Sequence, residues 1–126
     1  LIKFLGLTPY VDELAENIPQ FIQRRLDIGV AMATEPSLLL LDEPAAGLNA
    51  TETIQLNELI NRIRTERKTS IFLIEHDMKM VMDISDRILA INFGKPIVEG
   101  VPEEVQRHPE VLKAYLGEDE FVEYAA

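Results

Sequence analysis

The chain has 126 residues, room for one domain of ordinary size or for a piece of a larger one. Hydrophobic residues make up 47% and charged residues 27%, too apolar a balance for intrinsic disorder. Acidic residues outnumber basic ones 22 to 12, and a formal charge of −10 argues against general binding to nucleic acid or anionic membrane surfaces. With no cysteine there is no disulfide, thiolate–zinc site or cysteine nucleophile, and a reducing compartment fits. No apolar run approaches the ~20 residues of a membrane span, and no basic segment with an apolar core opens the chain as a signal peptide would.

The residues from Gln20 to Thr34 predict a helix, with Phe21, Ile22, Leu26, Ile28 and Val30 as its apolar side. Glu35-Pro36-Ser37 ends it, because the residue before a proline is pushed out of the helical region. Leu38 to Leu41 predicts a strand buried on both faces, of the kind found inside parallel sheets. Asn49, with Glu52 three residues on, predicts a capped helix whose buried stripe is Leu56, Leu59, Ile60 and Ile63. Ser70 to Ile74 predicts a second strand, so the segment reads as a parallel βαβ unit. A short helix over Met78 to Ser85 and a strand over Arg87 to Phe93 follow. Asn92-Phe93-Gly94-Lys95-Pro96 supplies a turn, and Pro96 to Glu99 pairs back as a hairpin. Pro102 and Pro109 open two short helices, the second ending at Gly117, and the acidic tail from Glu118 to Ala126 frays. The fold class is α/β, with helices around a mixed, mostly parallel sheet.

In an open α/β sheet, ligands bind beyond the carboxyl ends of the strands. Asp42 and Glu43 stand at that edge, directly after four leucines. One carboxylate there can hold a divalent cation through water, and its neighbour can orient or deprotonate an attacking water. An isolated acid pair is more often a strand end running into a solvated loop; the leucine strand and the turn Pro44 to Asn49 weigh against that here. Glu75-His76-Asp77 ends the second strand, and a parallel unit carries both strand ends to one edge, so His76 is expected near Asp42 and Glu43. An imidazole there can contact a phosphate oxygen or respond to its loss; the alternative is a histidine capping the helix that begins near Met78, or one hydrogen-bonded to a carboxylate.

These residues carry a family resemblance. Leu38 to Glu43 resembles the Walker B strand and catalytic glutamate of ABC-type ATPases, Ala46-Gly47-Leu48-Asn49 their D-loop, and His76 their switch histidine. The wider wording, Asp42 to Asn49 with Ile74 to Lys79 and Glu110 to Gly117, is similar to the ATP-binding subunits of branched-chain amino acid importers, and the likeness runs from about Glu16 to Gly117. The resemblance implies that Asp42 holds magnesium through water, Glu43 polarises the attacking water, His76 contacts the γ-phosphate and Asn49 bridges to a second ATPase subunit. It also implies a nucleotide contact for Gln23. The implied setting is the cytoplasmic side of the inner membrane, against a permease, with ATP and Mg2+ as ligands of the complete domain.

The glycine-rich phosphate loop of that family, G-x-x-x-x-G-K-S/T, does not occur in these residues: the only Gly-Lys pair, Gly94-Lys95, is followed by Pro96. Where the family has a glycine-containing signature before Gln23-Arg24-Arg25, this chain has Ile18-Pro19-Gln20-Phe21-Ile22, and Phe21 is expected to obstruct backbone approach to a phosphate. Val30 stands where the family commonly has arginine. The chain also begins at Leu1. The expectation is therefore the C-terminal part of a nucleotide-binding domain without its Walker A half. Residues 1–34 close a helical subdomain and form the signature helix, 35–100 are the Walker B, D-loop and switch core, 101–117 are C-terminal helices and 118–126 a tail. Alone, such a chain is expected neither to hydrolyse ATP nor to bind it appreciably, and, through an uncovered sheet, to self-associate, exchange elements with a second copy or depend on the segment it lacks. Two further readings stay open. One is a dimerising or docking module derived from an ATPase; the other is a self-contained metal hydrolase using Asp42, Glu43, Glu75, His76 and Asp77.

Overall fold

A computed structural model describes residues 1–115. Two short 3₁₀ turns, Thr8–Tyr10 and Ala15–Asn17, lead into α1 (Gln20–Met32), β1 (Leu38–Asp42), α2 (Ala50–Glu66), β2 (Ser70–Ile74), α3 (Met78–Ile84), β3 (Ile88–Asn92), β4 (Lys95–Gly100), α4 (Pro102–Gln106) and α5 (Pro109–Tyr115). The fold is the expected α/β one. Pairing is divided between a parallel pair, β1 with β2, and an antiparallel hairpin, β3 with β4. The chain forms two compact units, Leu1–Glu75 and His76 onward. The expected helix end at Gly117 and the acidic tail lie outside the described residues.

In the first unit, β1 and β2 pair from Leu38 opposite Ser70 to Asp42 opposite Ile74. Side chains alternate across a strand. Leu39 and Leu41 are buried with the core residues Leu56, Leu59, Ile60 and Ile63 of α2, whereas Leu38 is 51% and Leu40 68% exposed. This corrects the expectation that Leu38 to Leu41 is buried on both faces. The opposite face also carries the exposed side chains of Phe72 and Ile74.

The inward side of α1 is Phe21, Ile28, Gly29 and Met32; Val30, expected inward, is 67% exposed because it lies two residues, some 200°, from Ile28. Phe21 is buried, with the Arg25 guanidinium 4.6 Å from its ring centre. Leu5 and Leu7 of the N-terminal segment are buried too. Arg25 Nη1 donates to the Leu5 carbonyl at 3.2 Å, and Arg62 Nη1 donates to the Phe4 carbonyl at 3.3 Å. Burial pushes the Arg25 guanidinium below its ordinary pKa.

In the second unit, the hairpin packs Ala90 against Val105 of α4 and Val111 of α5, with Met78, Met82, Ile88, Ile97, Val98 and Tyr115 around them. The pairing shifts register between Ala90 and Ile91. The Tyr115 hydroxyl donates to the Ile91 carbonyl at 2.6 Å, and Arg87 bridges to Glu99 across the strands at 2.9 Å. The two-residue loop is Phe93-Gly94, both at positive φ (47° and 71°), the geometry that matches strand twist in tight hairpins.

Candidate functional site at the ends of β1 and β2

Parallel pairing delivers the C-terminal ends of β1 and β2 to one edge, Asp42 opposite Ile74. Asp42 and Glu43 are both exposed there. The ladder runs one residue past the strand, because the Glu43 N–H donates to the Ile74 carbonyl at 2.8 Å. Glu43 then enters the left-handed region at φ 46°. That region costs a non-glycine residue roughly 1–2 kcal/mol, and a following proline further opposes it by favouring extended backbone. The Ala46 N–H closes a turn on the Glu43 carbonyl at 3.1 Å, and the Leu48 N–H a second on that of Ala45 at 3.1 Å. From the other strand, Glu75 Oε1 accepts the Ala45 N–H at 2.9 Å.

The first turn of α1 lies alongside this loop. Gly47 sits at φ 79°, and a Cβ there would come 3.2 Å from Gln20 Nε2, so the position suits glycine for both backbone and space. Arg24 Nη2 is 3.5 Å from the Ala46 carbonyl, at the limit of a hydrogen bond. Gln23 is turned back toward the segment before α1, its Nε2 donating to the Ile18 carbonyl at 2.9 Å.

Asn49 forms the expected capping box: its Oδ1 accepts the Glu52 N–H at 2.9 Å while Glu52 Oε2 accepts the Asn49 N–H at 3.0 Å. His76 is exposed and is the first residue of the second unit. It does not cap α3; Asp77 does, its Oδ1 accepting the Met80 N–H at 3.0 Å.

Thus Asp42, Glu43 and Glu75 meet at one edge, with α1 beside them, while Asn49 stands six residues further at the start of α2. Glu75, by sequence only a candidate metal ligand, is bonded to the Ala45 amide. The available signal was its register, one residue beyond the partner of Asp42. Among the described residues, no group of three or more His, Cys, Asp or Glu side chains is placed to hold a metal ion. An exposed strand-end carboxylate does fit magnesium, which characteristically takes one or two protein carboxylates and completes its shell with water and substrate phosphates. No helix among the described residues is long and apolar enough to cross a membrane.

A family model described as a branched-chain amino acid ATP-binding cassette transporter matches residues 95–120. Over 117 residues, 93% of its length, the chain is 52% identical to the high-affinity branched-chain amino acid transport ATP-binding protein LivG of Salmonella typhimurium, covering 46% of that protein. It is 49% identical over the same length to the corresponding protein BraF of Pseudomonas aeruginosa, again covering 46%. Among solved structures, the ADP conformation of MJ1267, an ATP-binding cassette of an ABC transporter, superposes with a TM-score of 0.83 at 25% identity, over 93% of this chain and 47% of that one. The chain spans about half the length of the curated relatives it matches.

Proposed function

We propose that this chain, a member of the ATP-binding cassette family by its likeness to branched-chain amino acid transport ATP-binding proteins, carries the hydrolytic edge of an ATPase that drives import of branched-chain amino acids. The observation that carries this reading is the acid pair Asp42–Glu43 at the C-terminal end of a parallel strand, with Glu43 held in a strained backbone conformation. Strain of this kind persists where surrounding structure over-determines it, and it clusters at working sites.

Phosphoryl transfer needs charge neutralisation and in-line positioning more than covalent help from the protein. In this reading Asp42 would hold Mg2+, and the ion would supply positive charge to neutralise the phosphate oxygens. Glu43 orients and polarises the attacking water, and His76 contacts the γ-phosphate. Asn49 bridges to a second ATPase subunit, and Gln23 lies toward the nucleotide. The loop that grips the phosphates is not among these 126 residues, so the nucleotide is bound jointly with a segment outside them. The assembled ATPase works at the cytoplasmic face of the membrane, docked on a permease.

Two measurements test the reading. Calorimetric titration of the 126-residue chain with magnesium-ATP is expected to show no appreciable binding; micromolar affinity overturns the claim that the phosphate grip lies elsewhere. In the complete ATPase, Glu43→Gln is expected to lower hydrolysis on the order of 10²–10⁴-fold, the contribution of a positioned general base. Turnover within a few-fold of the parent would refute the assignment.

The open face of the parallel pair favours a second reading, an interaction module with no nucleotide chemistry. Leu40 is 68% and Phe72 60% exposed on it, and contiguous exposed apolar surface marks interaction sites. This reading expects a defined dimer by light scattering, weakened by Leu40→Lys, and indifference to Glu43→Gln. A monodisperse monomer counts against it.

A further inference from the structure

Among the hydrogen bonds around Glu43, three bear on its left-handed conformation. Two are between main-chain groups, Glu43 N–H to Ile74 O and Ala46 N–H to Glu43 O, and are open to any side chain at those positions. The third depends on what residue 75 is: Glu75 Oε1 accepts the Ala45 N–H at 2.9 Å, two residues past Glu43 and on the far side of Pro44. Bonds from an N–H to a carboxylate are shorter and stronger than neutral ones. Proline has no N–H of its own, so the Ala45 amide is the first donor after Glu43 by which the neighbouring strand can grip the loop.

We infer that Glu75 is a positioning residue for Glu43. By holding the Ala45 amide it ties the loop to the end of β2 and prevents Glu43 from relaxing into the extended backbone that Pro44 favours. The carboxylate of Glu43 is thereby kept at one orientation beyond the sheet edge while the nucleotide comes and goes. Glu75 is half-buried at the end of its strand, and the proposal gives it no contact with substrate. This inference rests on the reading of Glu43 as the group that orients the attacking water.

The test compares Glu75→Ala, Glu75→Gln and Glu43→Gln, with two readouts. In the 126-residue chain, Glu75→Ala is expected to speed hydrogen exchange at the Ala45 amide at least ~10-fold. Glu75→Gln, whose carboxamide oxygen can still accept the bond, restores most of the protection. In the complete ATPase, Glu75→Ala is expected to lower kcat by roughly 10–100-fold, the scale of a misplaced reacting group, while KM for ATP changes by less than about 2-fold. Glu75→Gln recovers most of that kcat, and Glu75→Ala adds no further loss in a Glu43→Gln background. The proposal is overturned by unchanged Ala45 exchange, by a glutamine variant as impaired as the alanine one, or by parental kcat in Glu75→Ala when Glu43→Gln abolishes turnover. If Glu43→Gln itself leaves hydrolysis intact, the site reading fails instead, and the exchange at Ala45 still decides whether Glu75 holds the loop.

Discussion

Asn49 has two separable duties, capping α2 and, in the proposed function, reaching a second subunit. Replacing it with alanine removes the Oδ1 that accepts the Glu52 N–H at 2.9 Å but leaves the reciprocal bond, Glu52 Oε2 to the residue-49 N–H at 3.0 Å, in place. One of the four orphan amides of the helix start therefore loses its partner. The expected cost is about 1 kcal/mol, the usual value for an N-cap replaced by alanine. Adding Glu52→Ala removes the second bond and a favourable charge at the helix N-terminus, for a combined loss of roughly 1.5–2 kcal/mol. For a unit the size of Leu1–Glu75, 1 kcal/mol corresponds to about 4–8 °C in Tm. Urea unfolding followed at 222 nm, with calorimetric Tm, measures both. Asn49→Ser keeps an oxygen that can cap but loses the carboxamide, so its stability stays within ~0.3 kcal/mol of the parent. In the complete ATPase the serine variant is expected to keep that stability yet lose hydrolysis that depends on subunit pairing. An alanine variant as stable as the parent refutes the energetic argument, and a serine variant with full activity refutes the bridging role.

Phe93 is 95% exposed at φ 47°. Phe93→Asn, which suits the first position of such a hairpin loop, is expected to stabilise the second unit by about 1 kcal/mol in urea unfolding; a destabilised variant contradicts the strain argument. Ile63→Ala, at a fully buried position of α2, is expected to cost roughly 2–5 kcal/mol, enough to leave the first unit marginal by circular dichroism at 25 °C. The hydrogen bond from Arg62 Nε to Glu66 Oε1 at 2.9 Å holds the Glu66 carboxyl below its ordinary pKa. A carboxyl depressed on folding contributes stability above its unfolded pKa and loses it as pH falls through the lowered folded one. Arg62→Gln is therefore expected to return the Glu66 titration, followed by NMR, to the ordinary carboxylate range; an unmoved midpoint rejects the pairing as its cause.

What was legible in the sequence was what neighbours along the chain decide. The capping box at Asn49 and Glu52 needs only three residues of context, and the bounds of β2 are set by polar Thr69-Ser70 and by Glu75-His76-Asp77 around an apolar run. The hairpin loop was legible for the same reason. Burial was not. Four successive leucines look alike on both faces of a strand, and only the fold separates the buried Leu39 and Leu41 from the exposed Leu38 and Leu40. The N-terminal segment was equally opaque. Leu5 and Leu7 show no helical or strand period, and Phe4 is fixed by Arg62 and Arg67, whose guanidinium carbons lie 4.4 and 4.7 Å from its ring centre from some sixty residues away.

The acid pair falls between these cases. Asp42-Glu43-Pro44 announces a strand end with chemistry on it, yet its local preferences run against the conformation found, since both a glutamate side chain and a following proline resist φ 46°. The turn therefore cannot be a property of the segment alone. It requires β2 to be in place, offering the Ile74 carbonyl and the Glu75 carboxylate. Where a local preference loses to a non-local bond at one residue, a functional demand on that residue is the economical explanation. The left-handed conformation of Glu43 is thus a product of the βαβ closure: anything that loosens the parallel pair should release this turn before it unfolds the core, and amide exchange at Ala45 should exceed that at Leu41, inside the ladder.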